Sequence, residues 1–164
     1  MKHFDWTCFT RKILVKATLA EVYSAWTKSA EIEKWFLSSA NYFDKHQQLL
    51  PREKAVVAGN SYEWSWFLYN EAETGQITEA NGKDKLAFTF AGDCTVEVHL
   101  SQTGEHVLVE LTQKNIPTDD DSKLKVRLGC HSGWSFYLVN LKSVLEGGLD
   151  LRNKDAHFKP MVNN

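Results

Sequence analysis

The 164-residue chain is poor in cysteine, carries a formal net charge of only −2, and contains no long apolar run. Each shortage excludes something. Cys8, Cys94 and Cys130 are odd in number and far apart, which leaves no disulfide framework and no CxxC metal or redox motif. Lysines and arginines are scattered rather than grouped, so there is no global field to recruit nucleic acid or an anionic membrane. The run Asp119-Asp120-Asp121 is short and suits a solvated loop or a helix start. No stretch approaches the ~18 apolar residues of a spanning helix. The amino-terminal MKHFDWTCFTRKILV lacks the continuous apolar segment of a secretory signal. A cytoplasmic protein without integral membrane association is the expectation.

Catalytic signatures are missing too. Paired acids, a nucleophile elbow, a glycine-rich phosphate loop and a Cys–His arrangement do not occur at defining spacings. Cys130 and His131 are adjacent, but neighbours on a helix point ~100° apart and do not form a nucleophile–base pair. His99, His106 and His131 show no metal-ligand spacing. The expectation is a protein with no catalytic residues, no metal and no cofactor.

What is present is an ordinary globular balance of 43% hydrophobic and 24% charged residues, enough for one domain over 1–164. Its core is expected over about 10–152, with 153–164 as a flexible tail. Residues 3–16 alternate as a strand, and a switch of parity predicts a bulge near Thr7 to Phe9. Thr18 with Glu21 three residues later forms a capping-box pattern ahead of a short helix. A second short helix, with Ser29 as its cap, ends near Trp35-Phe36. Residues 40–60 read as a possible short strand and a long irregular connection.

Five strand-like runs follow, over 61–70, 71–80, 84–90, 93–100 and 105–114, with Asn81-Gly82, Gly92-Asp93 and Thr103-Gly104 as hairpin links. Such links make an antiparallel meander with one strongly apolar face. A long terminal helix must cover it, with Trp134, Tyr137, Leu138, Leu141, Val144 and Leu145 on one stripe and Gly147-Gly148 at its end. Gly129 and Gly133 each cost about 1 kcal/mol against Ala in a helix interior. For Gly133 the expected reason is close approach of the backbone to a neighbour.

Strand, two short helices, meander and terminal helix is the order of the α+β helix-grip fold: a curved antiparallel sheet around a long carboxy-terminal helix. The segments ATLAEVYSAWT (17–27), EKWF (33–36), LAFTF (86–90) and GWSFYLVNLKSVLEGGLDLR (133–152) resemble START-like proteins of the activator of heat shock protein 90 ATPase homologue family. The chain resembles the stand-alone type, without room for the additional amino-terminal chaperone-binding domain of the eukaryotic activators. The resemblance implies a fold and a cavity, and it makes a chaperone a possible partner.

A long helix over a curved sheet leaves a cavity wherever side chains do not fill the gap. The expected lining from the sheet is Trp64, Trp66, Phe88, Val98 and Val109. From the helix it is Trp134, Tyr137, Leu138 and Leu141, with His131 as a polar handle at the mouth. Tyr and Trp suit such a pocket because each joins a large apolar surface to a hydrogen-bond donor. The alternative is that the same side chains pack a filled core, and both readings stand at this level. Binding of a small apolar or amphipathic molecule leads. A chaperone-interacting module comes second, and a small-molecule cyclase or hydratase third. Phe136 and Val139 lie off the stripe and pack on the amino-terminal helices or form a homodimer contact; monomer and homodimer both remain open.

Overall fold

The computed structural model describes residues 4–164, so the first residue of the expected 3–16 strand lies outside the described chain. Strand β1 spans Phe9–Val15, and α1 (Leu19–Thr27) and α2 (Ser29–Ile32) follow it. Then come β2 (Ser39–Phe43), β3 (Ser61–Ser65), β4 (Glu73–Ala80), β5 (Lys85–Phe90), β6 (Cys94–Thr103) and β7 (His106–Lys114). All seven form one antiparallel sheet in the order β1-β7-β6-β5-β4-β3-β2. The meander is as expected from its hairpin residues. β1 closes it by pairing with β7 from Phe9↔Gln113 to Val15↔Val107.

Two local expectations are corrected. β1 pairs without a bulge. The Asp5 carboxylate instead accepts from the Thr7 amide (2.8 Å) and hydroxyl (2.6 Å), curling the chain ahead of Phe9 and accounting for the parity switch. The register shift lies in β4, between Ile77 and Glu79. Ser29 is buried and does not cap α2, whose N-cap is Lys28 without a side-chain bond. Thr18 does cap α1: its Oγ1 accepts from the Glu21 amide, and the Glu21 carboxylate accepts from the Thr18 amide at 2.7 Å.

The terminal rod begins at Asp119, whose Oδ1 accepts from the Ser122 amide at 3.0 Å. It continues through α3 (Asp120–Ser122), a π-helical stretch over Lys123–Leu128, and α4 (Gly129–Leu145). At 1.5 Å per residue the rod is about 39 Å long. The Gly129 amide reaches back five residues to the Leu124 carbonyl, which makes the turn wide. Gly147, at φ +80°, takes the left-handed position that ends the helix. No helix among the described residues is long and apolar enough to cross a membrane.

Between rod and sheet lies an aromatic core. Trp26 meets Trp35 edge-on at 4.6 Å, Phe36 stacks on Trp134 at 4.9 Å, and Trp64 stacks on Tyr62 at 3.9 Å. Beyond the helix a polar strap ties its end to the α1–α2 corner. Asn140 donates to the Trp35 carbonyl (2.7 Å) and accepts from the Leu151 amide (2.7 Å). The buried Arg152 guanidinium bonds Asp150 and the Leu37 and Glu33 carbonyls. Burial disfavours the Asp150 charge, but hydrogen bonds from Arg152, Lys154 and Asn140 hold its carboxyl far below the usual range. Residues 153–164, expected as a tail, fold back here: the Asn153 amide donates to the Asn163 carbonyl at 2.6 Å, and the Tyr137 hydroxyl to the Asn164 carbonyl at 2.9 Å. Phe136 is half-buried against the core, and Val139 is exposed.

Candidate functional site

A cleft of about 660 Å³ opens between the middle of the rod and the far end of the meander. That volume lies within the range of small-molecule pockets. One wall is a helix face: Lys125, Gly129, Cys130, Gly133, Trp134 and Tyr137 recur at helical spacing along it. The opposite wall is the end of β3 and its link to β4, from Trp66 and Leu68 to Glu73. Phe36 and Phe90 close the floor, and Asn164 stands at one side.

The floor rings interlock. Phe36 lies 5.4 Å from Trp66 and 4.9 Å from Tyr137, both edge-on, and Phe90 lies 5.3 Å from Trp134. Trp66, Leu68 and Phe90 keep part of their surface open to the cleft, whereas Phe36 and Trp134 are almost fully covered. The Trp134 indole is fixed from behind, because Nε1 donates to Gln113 Oε1 at 3.0 Å. Gln113 is fully buried on β7, and its Nε2 has no hydrogen-bond partner.

Gly133 does not mark a close backbone approach. A Cβ built there meets nothing within 4 Å. The missing side chain instead leaves room at the cleft wall. Cys130 sits beside it, and burial pushes its thiol up to about 11, so it is a weak nucleophile near neutral pH. Burial likewise raises the Cys94 thiol and the Tyr137 hydroxyl. Among the described residues, no group of three or more His, Cys, Asp or Glu converges as a metal site.

Of the ten side chains the sequence nominates, Trp66, Trp134 and Tyr137 line the cleft. Trp64, Phe88, Val98, Val109, Leu138 and Leu141 are buried in the packed core, each no more than 2% exposed. His131 lies away from the cleft, edge-on to Phe9 at 5.3 Å, and burial together with the Arg11 and Arg127 charges lowers its pKa. Phe36, Leu68, Phe90 and Glu73 were not nominated. Phe90 shares the parity of Phe88 one rung farther along β5, a signal that was legible. Gln113 breaks the inward apolar series Val107, Val109, Leu111, a second legible one. Leu68 reaches the cleft through a turn at φ 69°, which no alternation rule anticipates.

Comparison with known proteins agrees with this architecture. The family model described as Activator of Hsp90 ATPase homolog 1-like protein matches residues 16–146. Protein SSP2350 from Staphylococcus saprophyticus is similar at TM-score 0.71 and 21% identity, covering 88% of this chain and 96% of that one. The solution structure of the Aha1 dimer from Colwellia psychrerythraea is similar at TM-score 0.66 and 20% identity, covering 86% and 97%. CalU16 from Micromonospora echinospora is similar at TM-score 0.61 and 20% identity, covering 88% and 77%. At such identities the likeness shows a shared fold. No curated protein matches the sequence.

Proposed function

We propose, for a chain that belongs to the Activator of Hsp90 ATPase homolog 1-like family, that the cleft between rod and meander binds a small apolar or amphipathic molecule. The observation that carries this reading is incompletely covered aromatic and aliphatic surface around a cavity, facing a helix wall without side chains at Gly129 and Gly133. A chain that simply packed its rod onto its sheet would place larger residues at those positions. Trp66, Leu68 and Phe90 supply the apolar contact, and Trp134 and Tyr137 form the wall against which the ligand rests. The six core residues named above act as rigid support, since their rings and branches leave the floor little freedom to move.

The test is titration of the protein with N-phenylnaphthylamine, a neutral dye whose emission rises in apolar surroundings, followed by the indole N–H signals of the tryptophans. Trp66 and Trp134 shift as the dye saturates. Trp6, which lies against Lys123 outside the cleft, does not. Binding that leaves Trp66 and Trp134 unmoved, or no binding at all, overturns the reading.

A further inference from the structure

The electrostatics of the cleft narrow the chemistry of what it holds. On the wall formed by the β3–β4 link and the start of β4, Glu71 and Glu73 are the carboxylates. Glu73 is half-buried. Its Oε1 accepts from the Ala91 amide at 2.7 Å, and among the described residues it has no ion-pair partner. Burial is the main cause that raises the pKa values of Tyr62, Cys94 and Cys130, and the Glu73 charge adds to it. Glu73 stands opposite the buried Trp64 in the β3–β4 register and shares the parity of the buried Ile77, so it lies on the inward face of β4 and lines the cleft, with Oε2 left for a ligand.

Positive charge at the cleft is already committed elsewhere. Lys125, the one lining cation among the described residues, is paired with Asp121 at 2.8 Å and is exposed. Lys159 donates to the Leu68 carbonyl and is not among the lining side chains. The same cleft is lined by the partly exposed rings of Trp66 and Phe90, with the exposed Tyr69 at the rim. Ring faces are electron-rich and attract a cation, most strongly once water is displaced.

From these observations we infer that the cleft selects a ligand with a planar or apolar body and a protonated amine or quaternary ammonium group, with Glu73 as counter-ion. The inference rests on the cleft being a binding site. It adds a preference by charge that the apolar lining alone would not produce. An unpaired carboxylate beside an apolar floor disfavours an anionic ligand by repulsion. It is indifferent to a neutral one, and it gains a charge-assisted hydrogen bond from an ammonium.

The experiment uses the full chain and three probes of one shape: naphthylmethylamine, naphthylmethanol and naphthoate, measured by calorimetry at neutral pH and low salt. The amine binds about tenfold tighter than the alcohol, and the naphthoate binds weakest. In Glu73→Gln, which keeps an acceptor for the Ala91 amide, the alcohol binds as before and the advantage of the amine disappears. Glu71→Gln, at the exposed rim, reduces that advantage by less than half. If alcohol and amine bind the wild type equally, the charge preference is wrong while the cleft remains a binding site. If the amine advantage survives in Glu73→Gln, Glu73 is not the counter-ion. If none of the three binds, the cleft reading itself fails.

Discussion

Gly133 offers the sharpest test of the cleft, because one position separates a packing role from an open space. It lies in the interior of α4 with ordinary helical backbone, and a Cβ placed there touches nothing within 4 Å. Replacement by Ala therefore brings no clash and recovers the difference in helix propensity, about 1 kcal/mol. For a chain of this size that corresponds to a rise in Tm of roughly 2–4 °C, readable by calorimetry or by circular dichroism at 222 nm. Gly133→Leu should keep at least the wild-type Tm, because the added branches enter the cleft rather than the core. The same change should weaken N-phenylnaphthylamine binding by more than tenfold. A fall in Tm for Gly133→Ala would refute the reasoning, since it would mean that the backbone is pressed against a neighbour. A Gly133→Leu protein that is stable and binds the dye unchanged would place the ligand elsewhere.

Three further outcomes follow from contacts outside the cleft. Gly75→Ala should cost about 1–3 kcal/mol in urea unfolding, because the new Cβ would stand 2.6 Å from the Tyr62 hydroxyl and the Thr89 Oγ1. Asn140→Ala should cost about 3 kcal/mol by the same measurement, since it strips partners from the Trp35 carbonyl, the Leu151 amide and Asp150 together. Asp150→Asn should be less stable than the wild type at neutral pH, and that gap should shrink on acidification. The folded carboxyl titrates below its unfolded value of about 3.9, so its contribution is complete above that value and is lost as pH falls toward the folded pKa. A gap that stays constant from pH 7 to pH 3 would remove the ionised Asp150–Arg152 pair as its cause.

The antiparallel order of the meander strands was legible because the signals are local, whereas the pairing of β1 with β7 joins segments about a hundred residues apart and was not. Asn81-Gly82 accepts a tight turn whatever surrounds it, and the alternation of Val107, Val109 and Leu111 states which face is inward. The Thr18–Glu21 box is likewise complete within four residues. The bulge was misplaced because parity alone does not distinguish an extra residue from a strand that has not yet begun. Asp5 curls the chain through its own side chain, and the shift in β4 carries no glycine or proline to announce it.

The cleft was legible only in part, and the division is physical. Trp66, Trp134 and Tyr137 could be nominated because large amphipathic rings sat on the faces that meet. Which rung of the sheet lies beneath which turn of the rod depends on the wide π-helical turn and on packing between segments far apart in sequence. Phe36, Trp66, Phe90 and the helix wall come from four separate stretches, and Phe36 stacking on Trp134 seals the space under which Trp64 and Phe88 disappear into the core. By itself the amino-acid sequence determined the main elements, the antiparallel order of the meander and the inward faces, since these rest on local periodicity, capping and turn chemistry, and its segments at 17–27, 33–36, 86–90 and 133–152 carried the resemblance to the family. Tertiary structure alone decided that Gly133 opens a wall rather than admitting a neighbour, that His131 turns away from the cavity, and that Glu73 lines it with no ion-pair partner among the described residues. Those outcomes depend on distances between chain segments, which no residue's own preferences encode.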